Sequence, residues 1–342
     1  MEHPARILLI RPSALGDVCR SVPVLASLKH AWPDAAIDWL VQDSFVDAVR
    51  AHPMLRRAVP FPRRELGQTM KKGRFGELRR WLGEIRKERY DLVIDAQGLL
   101  RSGFIARACG APRRVGHRAA RELAWLFYTD RERGSEAAHT VDRMLALVAA
   151  LGVEPVQDTR LFAPAEDRKA VAADERFRGR SAVFAPTSRW AGKQWPAERF
   201  DAVAERLLAE RVVDRVLVVG GPGERGQCEP LLARAERDPR VVDLVGTTSI
   251  GRLMAIVEHG TVVLANDSAA LHMAVGFDRP LVALFGPTRV DLVGPYGRAR
   301  DVLQVIEPGD RFDHKDAANG RTMMERISTD SVVEACLKRL AD

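Results

Sequence analysis

Residues 262–288, VVLANDSAALHMAVGFDRPLVALFGPT, determine the fold predicted for this chain. Residues 262–265 are apolar and begin with two β-branched valines, as in a buried strand. Residues 266–268, Asn-Asp-Ser, are N-cap types, and residues 269–275 favour a helix. A second apolar strand, residues 281–285, ends at a Gly-Pro pair. The stretch therefore predicts a β-α-β unit of a parallel sheet.

This unit contains the first candidate ligand site. It places Asp267, Ser268 and the first amides of the helix at the carboxyl end of a parallel strand, where open α/β sheets bind ligands. His272 follows one helical turn later. An alternative remains open, in which Asp267 or Ser268 only caps the helix and His272 packs locally.

The same β-α alternation runs through the whole chain. The predicted strands are 6–11, 37–41, 58–59, 92–95, a short strand that ends at 115–116, 182–185, 216–219, 241–244, 262–265 and 281–285. Helical periodicity separates most of them, which predicts parallel sheets covered on both faces. A polar, irregular stretch at 155–180 is the expected linker, so we predict domains at 1–160 and 161–325 and a C-terminal helix at 326–342.

Composition is that of a soluble globular protein. The 342 residues are enough for about two domains, with 46% hydrophobic and 29% charged residues. No apolar run approaches the roughly 18 residues of a membrane span, and the N-terminus is polar, so we expect a cytoplasmic location. The four cysteines are widely spaced without a C-x-x-C pair, which predicts reduced thiols and no zinc site.

The positive charge is concentrated in the N-terminal half. Residues 56–89 carry twelve Lys or Arg against four Glu, a local excess of +8, so the rest of the chain is close to neutral relative to the net +7. Residues 63–74 have few apolar anchors and read as a basic loop, a flexible lip over an anionic substrate and beside an anionic membrane leaflet. A solvated surface loop is the alternative. The candidates for binding the anionic group, which would belong to the acceptor if the protein is a transferase, are Arg63, Arg64, Lys71 and Lys72, with Arg101, Arg118 and Arg121 as the next choice.

One motif suggests a different activity. Residues 221–226 match G-x-G-x-x-G after a strand, with Asp243 downstream as a candidate ribose-binding acid. That pattern is typical of NAD-dependent dehydrogenases, although their fingerprint lies on the first β-α turn of the domain and this one lies on the second.

Polar side chains that follow the strands of the second half form a better candidate site. Hydroxyls, an ammonium group and helix N-termini suit a diphosphate, and a carboxylate suits ribose hydroxyls. No D-x-D motif is present to hold a metal ion, so Lys193 and backbone dipoles would have to stabilise the leaving diphosphate. The donor-site candidates are Thr187, Ser188, Lys193, Glu224, Asp267 and Ser268.

Several ordered motifs resemble one enzyme family. They are IRPSALGDV, DLVIDAQGLLRS, KQWPAERF, VVGGPGE and NDSAALHMA followed by VALFGPT. Together they are similar to glycosyltransferase family 9, the bacterial lipopolysaccharide heptosyltransferases. The resemblance implies an α/β fold of GT-B type, with two Rossmann-like domains whose parallel sheets face a central cleft. The N-terminal domain would bind the acceptor and the C-terminal domain the nucleotide-sugar.

The resemblance also implies roles for individual residues. Asp17, at a loop-to-helix junction, matches the family's proposed general base. Lys193 and Asp267 match residues that contact the donor's sugar and phosphates, and Glu224 the residue near ribose. Thr187, Ser188 and Ser268 match the polar lining, and His272 the histidine on the same helix. Ala269 replaces the glycine that family members usually have after the Asp-Ser pair.

The function expected from the sequence is inverting, metal-independent transfer of heptose from ADP-heptose to an anionic, lipid-linked lipopolysaccharide-core acceptor. No cofactor, metal or nucleic-acid partner is expected, and the enzyme should make peripheral contact with the inner face of the inner membrane. Three alternatives are a GT-B transferase with another nucleotide-sugar or acceptor, an NAD-dependent oxidoreductase, and a non-catalytic nucleotide-sugar-binding protein.

Overall fold

The computed structural model describes residues 3–134 and 138–341. The chain forms two compact units, Met1–Phe162 and Ala163–Asp342. Each unit contains one six-stranded parallel sheet with helices between successive strands. The predicted α/β class with two Rossmann-like domains is confirmed.

The first unit is built around the apolar strand β1. Its strands are β1 (Arg6–Ile10), β2 (Ala36–Gln42), β3 (Arg57–Phe61), β4 (Leu92–Asp95), β5 (Arg113–His117) and β6 (Asp130–Glu132). They lie in the order β3-β2-β1-β4-β5-β6, which is the Rossmann order. The helices are α1 (Leu15–Arg20), α2 (Val22–Ala31), α3 (Arg63–Lys71), α4 (Phe75–Lys87), α5 (Leu100–Ala108) and α6 (Thr140–Ala149).

The second unit repeats this topology, with β7 in the place of β1. Its strands are β7 (Ser181–Ala185), β8 (Arg215–Val218), β9 (Val241–Asp243), β10 (Val262–Asn266), β11 (Leu281–Leu284) and β12 (Val302–Leu303). Their order is β12-β11-β10-β7-β8-β9. The helices are α7 (Ala165–Ala173), α8 (Ala197–Ala209), α9 (Glu229–Ala235), α10 (Ile250–His259), α11 (Ala269–Gly276), α12 (Val290–Val293), α13 (Ala317–Glu325) and α14 (Thr329–Ala341).

The unit predicted from residues 262–288 is confirmed at the centre of the second sheet. β10 pairs in parallel with β7 on one side and β11 on the other, and all five of its residues are buried. Helix α11 connects β10 to β11 and is buried from Ala270 to Gly276. Because both faces of β10 are covered, its side chains are apolar up to Asn266, where the strand ends.

The basic loop predicted at 63–74 is wrong. Residues Arg63–Lys71 form helix α3, which is paired with α4. Leu66 is buried in the same apolar cluster as Phe61, and Trp81 of α4 packs against that cluster. The buried Leu66 therefore docks α3, and α4 contributes further apolar surface to the same cluster. Arg63, Arg64 and Lys71 are exposed on this helix rather than on a loop, and Lys72 and Arg74 are exposed just after it.

The linker predicted at 155–180 is wrong in part, because helix α7 occupies Ala165–Ala173. α7 packs against α10, and the two compact units divide at Phe162. The four cysteines are free and buried, as expected. No helix within residues 3–134 and 138–341 is long and apolar enough to cross a membrane.

Candidate functional site

A partly buried ion pair lies at the carboxyl edge of the second sheet. The Lys193 Nζ atom is 2.6 Å from Asp267 Oδ2, and the two side chains are only 14% and 10% exposed. Asp267 directly follows β10, whereas Lys193 ends a short turn, Ala191–Lys193, that follows β7. The fold thus brings together two predicted donor-site residues that are 74 positions apart.

The N-terminus of α11 lies beside this pair and has no side-chain cap. Ser268 is the N-cap residue, but its hydroxyl makes no hydrogen bond to the helix. The Oγ atoms of Ser268 and Thr288 are buried and have no hydrogen-bond partner in the described part of the chain. Buried hydroxyls are nearly always paired, so two unpaired ones at the ends of adjacent strands point to a ligand. The alternative that Ser268 only caps its helix is not supported.

Asn266 holds the edge together and was missed by sequence analysis. Its Nδ2 donates to the Pro186 carbonyl at 2.6 Å, and its Oδ1 accepts from the Trp195 amide at 3.3 Å. It therefore ties the end of β10 to the end of β7 and to the segment after Lys193. A buried asparagine with both groups paired positions its neighbours rather than reacting.

The turn that carries Lys193 is fixed by close packing against α13. A Cβ on Gly320 would lie 2.4 Å from the Gly192 carbonyl oxygen and 2.5 Å from the Gly192 Cα. Only glycine allows this approach of the backbones. His314, which precedes α13, stacks edge-on against Trp190 at 5.0 Å. Burial and the nearby Lys193 charge lower the pKa of His314. Sequence analysis missed both α13 and His314.

The remaining donor-site candidates lie at the ends of β7 and β8. Thr187 and Ser188 are buried, and the Ser188 hydroxyl donates to the Asp267 carbonyl at 3.3 Å. Glu224 Oε2 accepts a hydrogen bond from the Gly221 amide at 2.7 Å and closes the turn after β8. His272 is buried within α11, 6% exposed. The structure therefore brings Ser188, Lys193 and the Asp267 segment together, and places Glu224 on the neighbouring strand end.

Asp17 of the first unit lies between two arginines. Its Oδ2 is 3.0 Å from an Arg11 nitrogen and accepts from the Ala14 amide at 3.3 Å, and its Oδ1 pairs with Arg20. Burial alone would raise the pKa of Asp17, but the charges of Arg11 and Arg20 hold it well below its usual value. Asp17 lies inside α1 at its third position, not at the junction before a helix.

Two of the acceptor-binding candidates follow the end of β5. The Arg118 amide donates to the Glu132 carbonyl at 2.7 Å, and the Arg121 amide donates to the Gly98 carbonyl at 2.9 Å. Arg101 lies in α5, which follows β4, and all three side chains are exposed. Arg63 and Lys71 lie on α3, at the other end of the strand order. The two groups of acceptor candidates therefore follow strands at opposite ends of the strand order, β3 for one group and β4 or β5 for the other.

Comparison with known proteins decides the family. Residues 78–320 match the model of glycosyltransferase family 9 (heptosyltransferase). The chain belongs to glycosyltransferase family 9. Lipopolysaccharide heptosyltransferase 1 of Pseudomonas aeruginosa is 33% identical over 306 residues, which cover 86% of this chain and 82% of the relative. The relative of the same name from Escherichia coli K12 is 26% identical over 329 residues, covering 95% and 99%.

Solved structures support the fold of this family member. The E. coli ADP-heptose lps heptosyltransferase II matches with a TM-score of 0.81 and 22% identity over 98% of each chain. A family 9 glycosyl transferase from Veillonella parvula matches with a TM-score of 0.83 and 21% identity, covering 100% of this chain and 98% of the other. The chain is therefore a glycosyltransferase with the GT-B fold.

Family 9 membership assigns glycosyl transfer rather than hydride transfer, and the geometry of residues 221–226 agrees with this. The Gly-rich turn is followed by a short 3-10 turn, Arg225–Gln227, before α9 begins. Asp243, the candidate ribose-binding acid of a dehydrogenase, instead pairs with Arg225 at 2.7 Å.

Proposed function

We propose that this chain transfers heptose from ADP-heptose to an anionic, lipid-linked acceptor of the lipopolysaccharide core, with inversion at the transferred carbon and without a metal ion. The observation that carries the proposal is the uncapped N-terminus of α11 beside the Lys193–Asp267 pair. Helix N-termini bind phosphates through their free amides, and a lysine adds a full positive charge.

On the donor side, the Ser268 and Thr288 hydroxyls and the α11 amides would bind the diphosphate of the nucleotide. Lys193 would stabilise the negative charge that forms on the departing ADP. Asp267 holds the ammonium in place and would accept hydrogen bonds from sugar hydroxyls. Glu224, which holds the Gly221 amide through Oε2, would accept from the ribose through its other carboxylate oxygen.

On the acceptor side, we propose Asp17 as the general base. A carboxylate with a depressed pKa is fully ionised, but it is a weak base while both guanidinium groups face it. An anionic acceptor would counter the field of Arg11 and Arg20 and so raise the basicity of Asp17 when it binds. The base would then be strong only in the presence of its substrate.

Asp267→Ala should weaken binding of ADP-heptose more than binding of free ADP. The sugar loses its acceptor oxygen, whereas the α11 amides that would hold the diphosphate remain. Titration calorimetry with both ligands measures the two changes. Equal weakening for ADP and ADP-heptose would reject the contact between Asp267 and the sugar.

Reversing Arg63 and Arg64 to Glu should raise the acceptor KM several-fold and leave ADP-heptose binding unchanged. Both residues lie in the first turn of α3, where acidic side chains suit the helix dipole, so the helix should persist. Arg79→Glu with Arg80→Glu, an equal charge change on exposed positions of α4, is the matched control. Equal KM values for the two double variants would reject α3 as the acceptor site and favour the arginines that follow β4 and β5.

A donor panel tests the proposed function. ADP and ADP-heptose should raise the melting temperature of the protein, and UDP-sugars and NAD should have little effect. Activity with ADP-heptose should survive EDTA. Stabilisation by a different nucleotide, or activity that EDTA abolishes and magnesium restores, would contradict the proposed donor or the metal-independent leaving group. Among residues 3–134 and 138–341, no cluster of three or more His, Cys, Asp or Glu is arranged to hold a metal ion.

A further inference from the structure

An exposed apolar surface in the first unit has no role in the chemistry above. Eight large apolar side chains are exposed in the described part of the chain, and four of them lie within 27 positions. We call these four the Leu-Phe patch: Leu100 (47% exposed), Phe104 (44%), Leu123 (58%) and Leu126 (54%). Isolated exposed leucines need no explanation, but a cluster of this kind marks a surface that binds something.

The patch is held together by direct packing. Leu100 and Phe104 lie one turn apart on the same face of α5. A Cβ on Gly103 would lie 3.2 Å from Ala124 Cα, so α5 touches the turn that carries Leu123 and Leu126. The ring of Phe104 meets Phe127 of that turn edge-on, with 6.4 Å between the ring centroids.

The backbone presents Leu123 to solvent in an unfavourable conformation. Glu122 and Leu123 have φ angles of 56° and 62°, in the left-handed region that favours glycine. The Leu100 amide donates to the Glu122 carboxylate at 3.2 Å and so anchors this turn to the start of α5. A leucine that is both exposed and in a left-handed conformation gains nothing from packing within the unit.

Positive charge surrounds the patch. Residues 98–134 carry eight arginines against three acidic residues. Arg101, Arg107, Arg118 and Arg121 are all exposed in this segment. Apolar side chains with a basic rim complement an anionic lipid surface, in which the apolar groups enter the acyl boundary and the arginines meet the headgroups. A second copy of the chain is a poor fit, since a two-fold contact would oppose these arginines to one another.

We propose that the Leu-Phe patch and its arginine rim bind the surface of an anionic bilayer. The proposal rests on the proposed function, because an enzyme that acts on a lipid-linked acceptor must reach the membrane that holds it. The Arg121 amide donates to the Gly98 carbonyl at the carboxyl edge of the first sheet, so the patch adjoins the second group of acceptor candidates, Arg101, Arg118 and Arg121. Bilayer contact would therefore bring a lipid-linked acceptor to that edge.

Sedimentation of the full chain with vesicles tests the inference. The vesicles contain phosphatidylcholine alone, or phosphatidylcholine with phosphatidylglycerol, and no acceptor. The test variant is Leu123→Asn with Leu126→Gln, because asparagine tolerates a left-handed backbone and both leucines are more than half exposed. The matched control is Val305→Asn with Ile306→Gln, two exposed apolar residues of the other unit.

Wild type and control should bind the anionic vesicles, and the test variant should bind them at least about tenfold more weakly. Binding to phosphatidylcholine alone should be weak for all three proteins. With an acyl-free acceptor, the test variant should turn over at the wild-type rate, and a loss of transfer in the variant alone would overturn the inference by placing the patch in the acceptor site. Absence of transfer by the wild type would count against the proposed function instead. Equal vesicle binding by wild type and test variant would overturn the inference. A wild-type dimer that the test variant abolishes, without loss of vesicle binding, would also overturn it and assign the patch to self-association.

Discussion

Asp17→Asn is expected to lower kcat by about a hundredfold or more, with ADP-heptose binding unchanged. An amide cannot take the proton of the acceptor hydroxyl at neutral pH, and the Asp17 carboxylate is the proposed base. Steady-state kinetics with saturating donor and acceptor measure the effect. Retained turnover would reject the base assignment.

The substitution should also destabilise the fold, and this must be separated from the loss of catalysis. Asp17 compensates the buried Arg11 and the largely buried Arg20, and Asn would remove the carboxylate that faces both charges. Because the folded-state pKa of Asp17 is depressed, its stabilisation is complete above the unfolded pKa of about 4 and is lost as the pH falls below it. The difference in melting temperature between wild type and Asp17→Asn should therefore be constant from pH 8 to about 5 and shrink under more acidic conditions. An unchanged difference at low pH would contradict the ion cluster.

Lys193→Met is expected to lower kcat by about a hundredfold and to leave the acceptor KM little changed. Its ammonium lies 2.6 Å from Asp267 and is the cation that we assign to the departing diphosphate. Loss of one preorganised charge that acts on the developing negative charge has an effect of this size. The variant also leaves Asp267 partly buried without its partner, so its melting temperature should fall.

Lys315→Met is the matched control, because Lys315 is exposed and lies close enough to His314 to affect its pKa. The control should retain wild-type kcat, which would show that turnover depends on the Lys193 ammonium itself and not on the total positive charge of this region. Equal losses for the two variants would mean that general electrostatic attraction of the nucleotide, and not the Lys193 contact, explains the effect. An unchanged kcat for Lys193→Met would reject its role in stabilising the leaving group.

Sequence analysis predicted the central elements accurately where both faces of a strand are covered. β4 was predicted at its observed bounds, and the β10–α11–β11 unit within about one residue. Long apolar runs with N-cap residues at their ends leave little choice of structure. The short edge strands β6 and β12 were missed because two or three residues carry no periodicity.

The features that sequence analysis missed or predicted wrongly all depend on contacts between residues far apart in the sequence. Helix α3 is anchored by the buried Leu66, and α4 packs against it and completes the apolar surface. Helix α13 is docked by the close approach of Gly192 and Gly320, which lie far apart in sequence. For Asp17, the i,i+3 spacing to Arg20 is visible in the sequence. The ion pair with Arg11 instead depends on the path of the loop between β1 and α1, which the sequence does not show. Residue identities thus predicted the candidate site residues. The neighbours of these residues, and the charges that face them, depend on the fold.

A product assay tests heptosyl transfer by this chain most directly. Purified protein is incubated with ADP-heptose and an acyl-free lipopolysaccharide-core acceptor, and released ADP and acceptor mass are measured together. We predict one equivalent of ADP for each acceptor that gains one heptosyl unit, with inverted configuration of the new bond by NMR. ADP-heptose that binds without release of ADP, or transfer only from another nucleotide-sugar, would contradict the account.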